Sequence, residues 1–96
     1  MRILLITLDL AVTAGAGASA PEPDKVFETI KSQGQWWHYL KSTWLVYTSK
    51  TVQEVAEALR PHVSARGLVL VTELRRPYQG WLPKEAWEWI NTRVSQ

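Results

Sequence analysis

The distribution of apolar and polar positions places two long apolar runs near the two ends of the chain. Residues 2–10 are almost continuously apolar, with Thr7 and Asp9 as interruptions, and residues 68–74 form a second run. A strand that is covered on both faces shows such continuous hydrophobicity, whereas a strand with one face in water alternates. We therefore predict an inner strand at 2–10 and a further apolar strand at 68–74.

Between these runs lies the most aromatic stretch of the chain. Residues 36–48 contain three tryptophans and two tyrosines but no proline or glycine. Aromatic and β-branched residues suit a pleated, half-buried surface. Lys41 and Ser42 are the least apolar point of the stretch, so we predict a hairpin with strands at 36–40 and 43–48.

The first helix is predicted between the inner strand and this hairpin. Residues 11–23 are small and contain glycine and proline, which is typical of a loop, here longer than most connections. Asp24 can cap a helix over residues 25–33, and Gly34 can end it.

The second helix is marked by a capping box. In Thr51-Val52-Gln53-Glu54 the hydroxyl and the carboxylate can each satisfy a free backbone N–H. An apolar stripe at helical spacing follows through Val63, and Pro61 is expected to end or bend the helix near Arg60.

The third helix follows the last strand and begins near Pro83, a residue suited to the first turn. Glu85 lies favourably near the positive end of its dipole. Trp87, Ile90 and Val94 share one face.

The resulting order is strand, helix, strand, strand, helix, strand and a closing helix. A βαββαβ order is most simply built as a four-stranded antiparallel sheet in the order 4-1-3-2 with two helices on one face, the ferredoxin-like arrangement. We therefore predict a single α+β domain of this type over residues 1–96. The C-terminal helix, or a second subunit, is available to cover the other face.

Composition narrows the function classes. The chain has 96 residues, a net charge of +2 and no cysteine, which excludes disulfides, thiolate zinc sites and cysteine nucleophiles. Six tryptophans are many for one small core, which indicates an aromatic interface or ligand surface. The mildly basic balance permits RNA or DNA as a partner without arguing for it.

The N-terminal residues imitate a secretion signal. Arg2 precedes an apolar run, and Ala18-Ser19-Ala20 has the small-residue pattern of a cleavage site. Asp9 interrupts the apolar run, and cleavage would remove the best inner strand. We therefore expect a cytoplasmic protein, with no stretch long enough for a membrane span.

A family resemblance rests on the aromatic stretch. Residues 34–46, GQWWHYLKSTWLV, resemble the central block of the SinR-like family of small bacterial proteins, and residues 59–63 and 85–90 resemble its later segments. These proteins are similar to the small CRISPR-associated endoribonuclease-like subunit of the adaptation complex and to VapD-type toxins. The resemblance implies a ferredoxin-like fold, a homodimer and a functional Asp at the end of the first strand.

That functional carboxylate corresponds to Asp9. In a homodimer two copies would meet near the axis and hold Mg²⁺, giving a metal-dependent endoribonuclease with Asp9 as both catalytic and metal residue. Leu8 stands where the CRISPR branch commonly has Tyr, and the next loop is longer and rich in alanine; both departures count against nuclease activity. The structural alternative is that Asp9 caps backbone donors of this loop.

Other candidates each have a structural alternative. His38 has the titration range of a general base, but a histidine in an aromatic strand is more often packed and hydrogen-bonded. His62 is expected to contact free carbonyl groups near a helix end. The tryptophans are suited to base stacking or to a protein interface, and alternation on strand 36–40 predicts that at least one of its faces is buried.

The candidate phosphate contacts are Arg75, Arg76 and Arg66, with Arg60 if it folds nearby. Their alternative is a solvated strand end. Two functions therefore stand: a homodimer that binds nucleic acid with vestigial or weak nuclease activity, and a non-catalytic dimer or protein-interaction module that uses its aromatic surface.

Overall fold

The computed structural model describes residues 1–10, 23–63 and 67–94. The predicted loop at 11–23 therefore lies outside the described residues except for its last position. The elements, in chain order, are β1 (Arg2–Asp9), α1 (Pro23–Ser32), β2 (Gln35–Leu40), β3 (Thr43–Thr48), α2 (Val52–Leu59), a 3-10 turn (Arg60–His62), β4 (Leu68–Glu73) and α3 (Lys84–Arg93). Every predicted strand and helix is present, with ends that shift by one or two residues.

The four strands form one antiparallel sheet. Their order is β2-β3-β1-β4, which is 4-1-3-2 when counted from the β4 edge. β1 is an inner strand that pairs with β3 on one side and with β4 on the other. β2 and β4 are the two edge strands, and β2 departs from regular pairing between Trp37 and Leu40.

Helices α1 and α2 cover one face of the sheet. The buried residues of this core come from alternate positions of β1 and β3 and from the apolar stripes of the two helices, namely Leu4, Ile6, Leu8, Leu10, Val26, Ile30, Trp44, Val46, Val55 and Leu59. Because side chains alternate along a strand, the intervening positions face the opposite side.

Helix α3 covers part of that opposite side. Ile3 and Leu45 of the sheet are buried there with Ala86 and Ile90 of the helix, and Trp87 and Val94 pack around them as predicted. The C-terminal helix is thus a cover for the second face. The cover is incomplete, because α3 packs over the Ile3 end of β1 only.

Of the two predicted covers for the second face of the sheet, the C-terminal helix does not extend over β4. Leu68 and Leu70 are 68% and 61% exposed, and Val69 is 36% exposed. β4 is an edge strand, and α3 does not reach this part of it. The apolar residues of β4 are therefore exposed in the single chain, and their cover by a second subunit stays a prediction.

Two predicted helix starts also differ in detail. Asp24 lies in the first turn of α1, which begins one residue earlier, and Pro83 is the N-cap of α3. The capping box of α2 is confirmed: Thr51 Oγ1 accepts from the Glu54 backbone N–H, and Glu54 Oε1 accepts from the Thr51 N–H, both at 3.1 Å.

Gly34, which follows α1, has a packing reason to be glycine. A Cβ at this position would lie 2.1 Å from the carbonyl oxygen of Tyr47 in β3. The glycine therefore lets the start of β2 approach β3 closely, besides ending the helix.

Candidate functional site

Asp9 is the last residue of β1 and is exposed. It lies opposite Leu68 in the ladder between β1 and β4. Leu4, Ile6 and Leu8 of the same strand point to the core formed with α1 and α2. By the alternation of the strand, Asp9 therefore points to the α3 side of the sheet, beyond the region that α3 covers.

Around Asp9 lies a surface that none of the described helices covers. We call it the open half-sheet and define it by Thr7, Asp9, Thr43, Leu68 and Leu70, which occupy positions of the same parity on three adjacent strands. The Thr43 hydroxyl donates to Thr7 Oγ1 at 3.2 Å. A shallow hollow of about 360 Å³ lies at its edge, lined by Thr7, Leu8, Asp9, Ser42, Leu68, Val69 and Leu70.

The described part of one chain offers few ligands for a metal. Within residues 1–10, 23–63 and 67–94, no group of three or more His, Cys, Asp or Glu side chains is placed to hold an ion. Mg²⁺ prefers several oxygen ligands in near-octahedral geometry and usually keeps some waters. Asp9 can supply one carboxylate per chain, so a metal at this surface needs a second copy or a bound phosphate.

His38 lies on the other side of the sheet from Asp9. Its ring stacks on the indole of Trp44, with centroids 3.6 Å apart and planes 6° apart, and its Nε2 lies 3.2 Å from the carbonyl oxygen of Lys41. Trp44 belongs to the core with α1 and α2. The structure thus shows the packed, hydrogen-bonded histidine of the structural alternative, and His38 cannot act together with Asp9 of the same chain.

Arg75 and Arg76 follow the end of β4 that lies far from Asp9 within one chain. β4 begins at Leu68, opposite Asp9, and runs away from it. Arg75 follows Leu68 by seven residues, a separation of about 23 Å along an extended strand. Arg66 lies outside the described residues. Arg60 begins the 3-10 turn after α2 and is exposed.

Arg75 and Arg76 differ in their contacts. Arg75 donates to both carboxylate oxygens of Glu73, at 2.8 and 3.4 Å. This hydrogen-bonded pair holds the pKa of Glu73 below its ordinary value and raises the pKa of Arg75. Arg76 instead places its guanidinium 5.8 Å from the ring centroid of Tyr78. Arg76 is therefore the better phosphate contact of the two, which residue types alone did not show.

The tryptophans divide between core and surface. Trp37 and Trp44 are buried, whereas Trp36 is 45% exposed with the ammonium of Lys31 4.8 Å from its ring centroid. The predicted alternation on β2, with at least one buried face, is confirmed. Trp81 is 96% exposed, and sequence reasoning did not single it out. Its position beside Gly80 in a loop was the available signal.

His62 is half-buried in the 3-10 turn, and its predicted contact with free carbonyls stays a prediction.

The α-helices in the described part of the chain are too short and too polar to cross a membrane. Comparison of the chain with protein-family models, with curated proteins and with solved structures gave no match.

Proposed function

We propose that this chain is a ferredoxin-like domain of the SinR-like kind, distantly related to the CRISPR adaptation subunit and to VapD toxins, which works as a homodimer. The dimer pairs through the open half-sheet, binds nucleic acid and retains weak metal-dependent nuclease activity. The observation that carries the proposal is that the exposed Asp9 carboxylate lies beside Leu68 and Leu70, an apolar surface that the described residues of the chain leave exposed.

Symmetry explains how one carboxylate per chain becomes a site. A two-fold interface uses the same patch on both subunits, so each residue near the axis meets its own copy. Two Asp9 carboxylates brought together in this way repel each other unless a cation lies between them. Mg²⁺ shared by the pair would use its remaining positions for water and a phosphate oxygen, which polarises the phosphate and activates the water.

The proposed cellular location is supported by the same strand. Residues Arg2–Asp9 supply the strand that bonds both β3 and β4, so removal of residues 1–20 as a signal peptide would divide the sheet. We therefore propose that the segment is retained and that the protein acts in the cytoplasm.

The test compares two exposed aspartates. Labelled RNA and DNA are incubated with the protein and Mg²⁺ or Mn²⁺, with and without a chelator, for the wild type, Asp9→Asn and the control Asp24→Asn in α1. We expect cleavage to be lost in Asp9→Asn and with the chelator, and to persist in Asp24→Asn. Cleavage that persists in Asp9→Asn would contradict the proposal.

Self-association supplies a second readout. Mg²⁺ should tighten the wild-type dimer, because it removes the repulsion between the Asp9 copies, and should leave the Asp9→Asn dimer unchanged. If Mg²⁺ changes the dimer affinity of the wild type and of Asp9→Asn equally, the cation does not bind between the two Asp9 carboxylates.

A second function is favoured by a different surface. Trp36 and Leu40 on the opposite edge strand are each 45% exposed, which suits a protein-interaction module. A tight dimer that neither cuts nor binds RNA or DNA would favour this function over the first.

A further inference from the structure

Trp81 is the most exposed large apolar side chain among the described residues, at 96%. An indole in water keeps a large apolar surface uncovered, while Trp37 and Trp44 of the same chain are 7% and 3% exposed. With both ring faces free, Trp81 is available to a flat ligand.

The loop that carries Trp81 is held at its two flanks. Tyr78 stacks on Trp87 of α3, with centroids 6.0 Å apart and planes 9° apart, and its hydroxyl donates to Asn91. Leu82 packs against the core under α3. Residues 79–81 project between these two anchors, so the indole is presented without folding of a long segment, which limits the entropy lost on binding.

The same loop is positively charged. Residues 75–84 contain Arg75, Arg76 and Lys84 but no aspartate or glutamate. Arg75 is engaged by Glu73, whereas Arg76 is exposed and lies over Tyr78. Lys84 has an 89% exposed side chain and only a 3.9 Å ion pair with Glu88. The sequence therefore places the exposed indole of Trp81 between Arg76 and Lys84.

We infer that the β4–α3 loop binds single-stranded nucleic acid, with a base stacked on Trp81 and the neighbouring phosphates on Arg76 and Lys84. Aromatic platforms combined with basic groups are the common means of holding single strands. Bases in a duplex are already stacked on each other and cannot use the indole. A protein-docking site would instead favour a continuous exposed apolar patch around the tryptophan; Gln79 and Gly80 add no apolar side chain to it, and Leu82 packs against the core.

This inference extends the proposed function. It rests on that function only for the class of ligand, which is nucleic acid. The loop leaves the sheet at the Ile3 end of β1, since the Leu74 N–H donates to the Ile3 carbonyl at 2.9 Å. Asp9 is at the other end of the same strand. Binding by the loop and chemistry at Asp9 can therefore fail independently.

The experiment measures fluorescence anisotropy of short labelled single-stranded RNA, single-stranded DNA and duplex DNA with the full chain. Trp81→Ala should weaken single-strand binding by about 5- to 150-fold, the range found for loss of one base-stacking contact. The matched control is Trp36→Ala, another exposed tryptophan, which should bind as the wild type does.

A charge variant tests the arginines in the opposite direction. Glu73→Gln frees Arg75, so it should tighten binding and steepen the dependence of log K on log salt by about 0.7, as expected for one added phosphate contact. Arg76→Gln should make that dependence shallower by a similar amount.

Four results would overturn the inference. The first is that the wild type binds no single strands, and the second is that Trp36→Ala and Trp81→Ala weaken single-strand binding equally. The third is that duplex DNA binds as tightly as single strands and loses as much affinity in Trp81→Ala, and the fourth is that Trp81→Ala loses self-association while the protein binds no nucleic acid. The last result would identify Trp81 as a protein contact. Any of the first three results is compatible with cleavage that depends on Asp9. Conversely, single-strand binding by the loop without cleavage would support this inference and contradict the proposed nuclease activity.

Discussion

Leu70 offers the sharpest test of the dimer surface. Its side chain is 61% exposed in the single chain, on an edge strand and beside Asp9. Full burial of a leucine contributes about 1.5–3 kcal/mol, so covering the exposed part in a dimer contributes about 1–2 kcal/mol for each copy. Because a two-fold interface contains the residue twice, Leu70→Ala should weaken the dimer by about 2–4 kcal/mol, which raises Kd about 30- to 700-fold.

Sedimentation equilibrium over a range of protein concentrations measures that Kd. The fold of the single chain should change little, because most of the Leu70 surface already meets solvent, and circular dichroism checks this. The control is Leu40→Ala, a 45% exposed leucine on the other edge strand, which should leave Kd unchanged. A monomeric wild type, or a Kd that responds equally to both substitutions, would refute the dimer surface.

Three further predictions concern the fold. Gly34→Ala should destabilise the protein by about 3 kcal/mol or more in urea unfolding, because the new Cβ would meet a backbone oxygen that cannot rotate away; a cost below about 1 kcal/mol would contradict the contact with Tyr47. Thr51→Ala should cost about 1 kcal/mol in the same assay through loss of the cap of α2, and Thr51→Ser should restore it. Because the pKa of Glu73 is lowered in the folded state, its stabilising contribution is complete above the ordinary value of 4.5 and is lost as the pH falls through the lowered pKa. Thermal melts of wild type and Glu73→Gln should therefore converge on acidification, and a constant difference in melting temperature would speak against the pair with Arg75.

Sequence periodicity was enough to locate the elements because their signals are local. The capping residues Thr51 and Glu54 lie three positions apart, and the hairpin is marked by its own aromatic residues and the polar pair at its turn. The alternation of β2 likewise separated buried Trp37 from exposed Trp36. The position of Asp9 at the end of an inner strand also followed from the length of one apolar run.

What the sequence could not determine was which apolar surfaces are covered. The runs at β1 and β4 look alike, yet Ile3 and Leu4 are fully buried while Leu68 and Leu70 face solvent. The difference arises because α3 packs over one end of the sheet, and where a helix docks depends on contacts between residues distant in sequence. The same holds for Arg75 and Arg76, which are adjacent in the chain. The carboxylate of Glu73 binds Arg75, whereas the guanidinium of Arg76 lies near the ring of Tyr78.

The sequence by itself therefore determined the strands, the helices and the position of Asp9 at the end of β1, since each depends on neighbours within a few residues. The tertiary structure alone decided that Asp9 and His38 face opposite sides of the sheet, that Arg75 and Arg76 lie far from Asp9, and that Trp81 stays outside the core. These are distances between elements, and they are set by packing and not by local spacing.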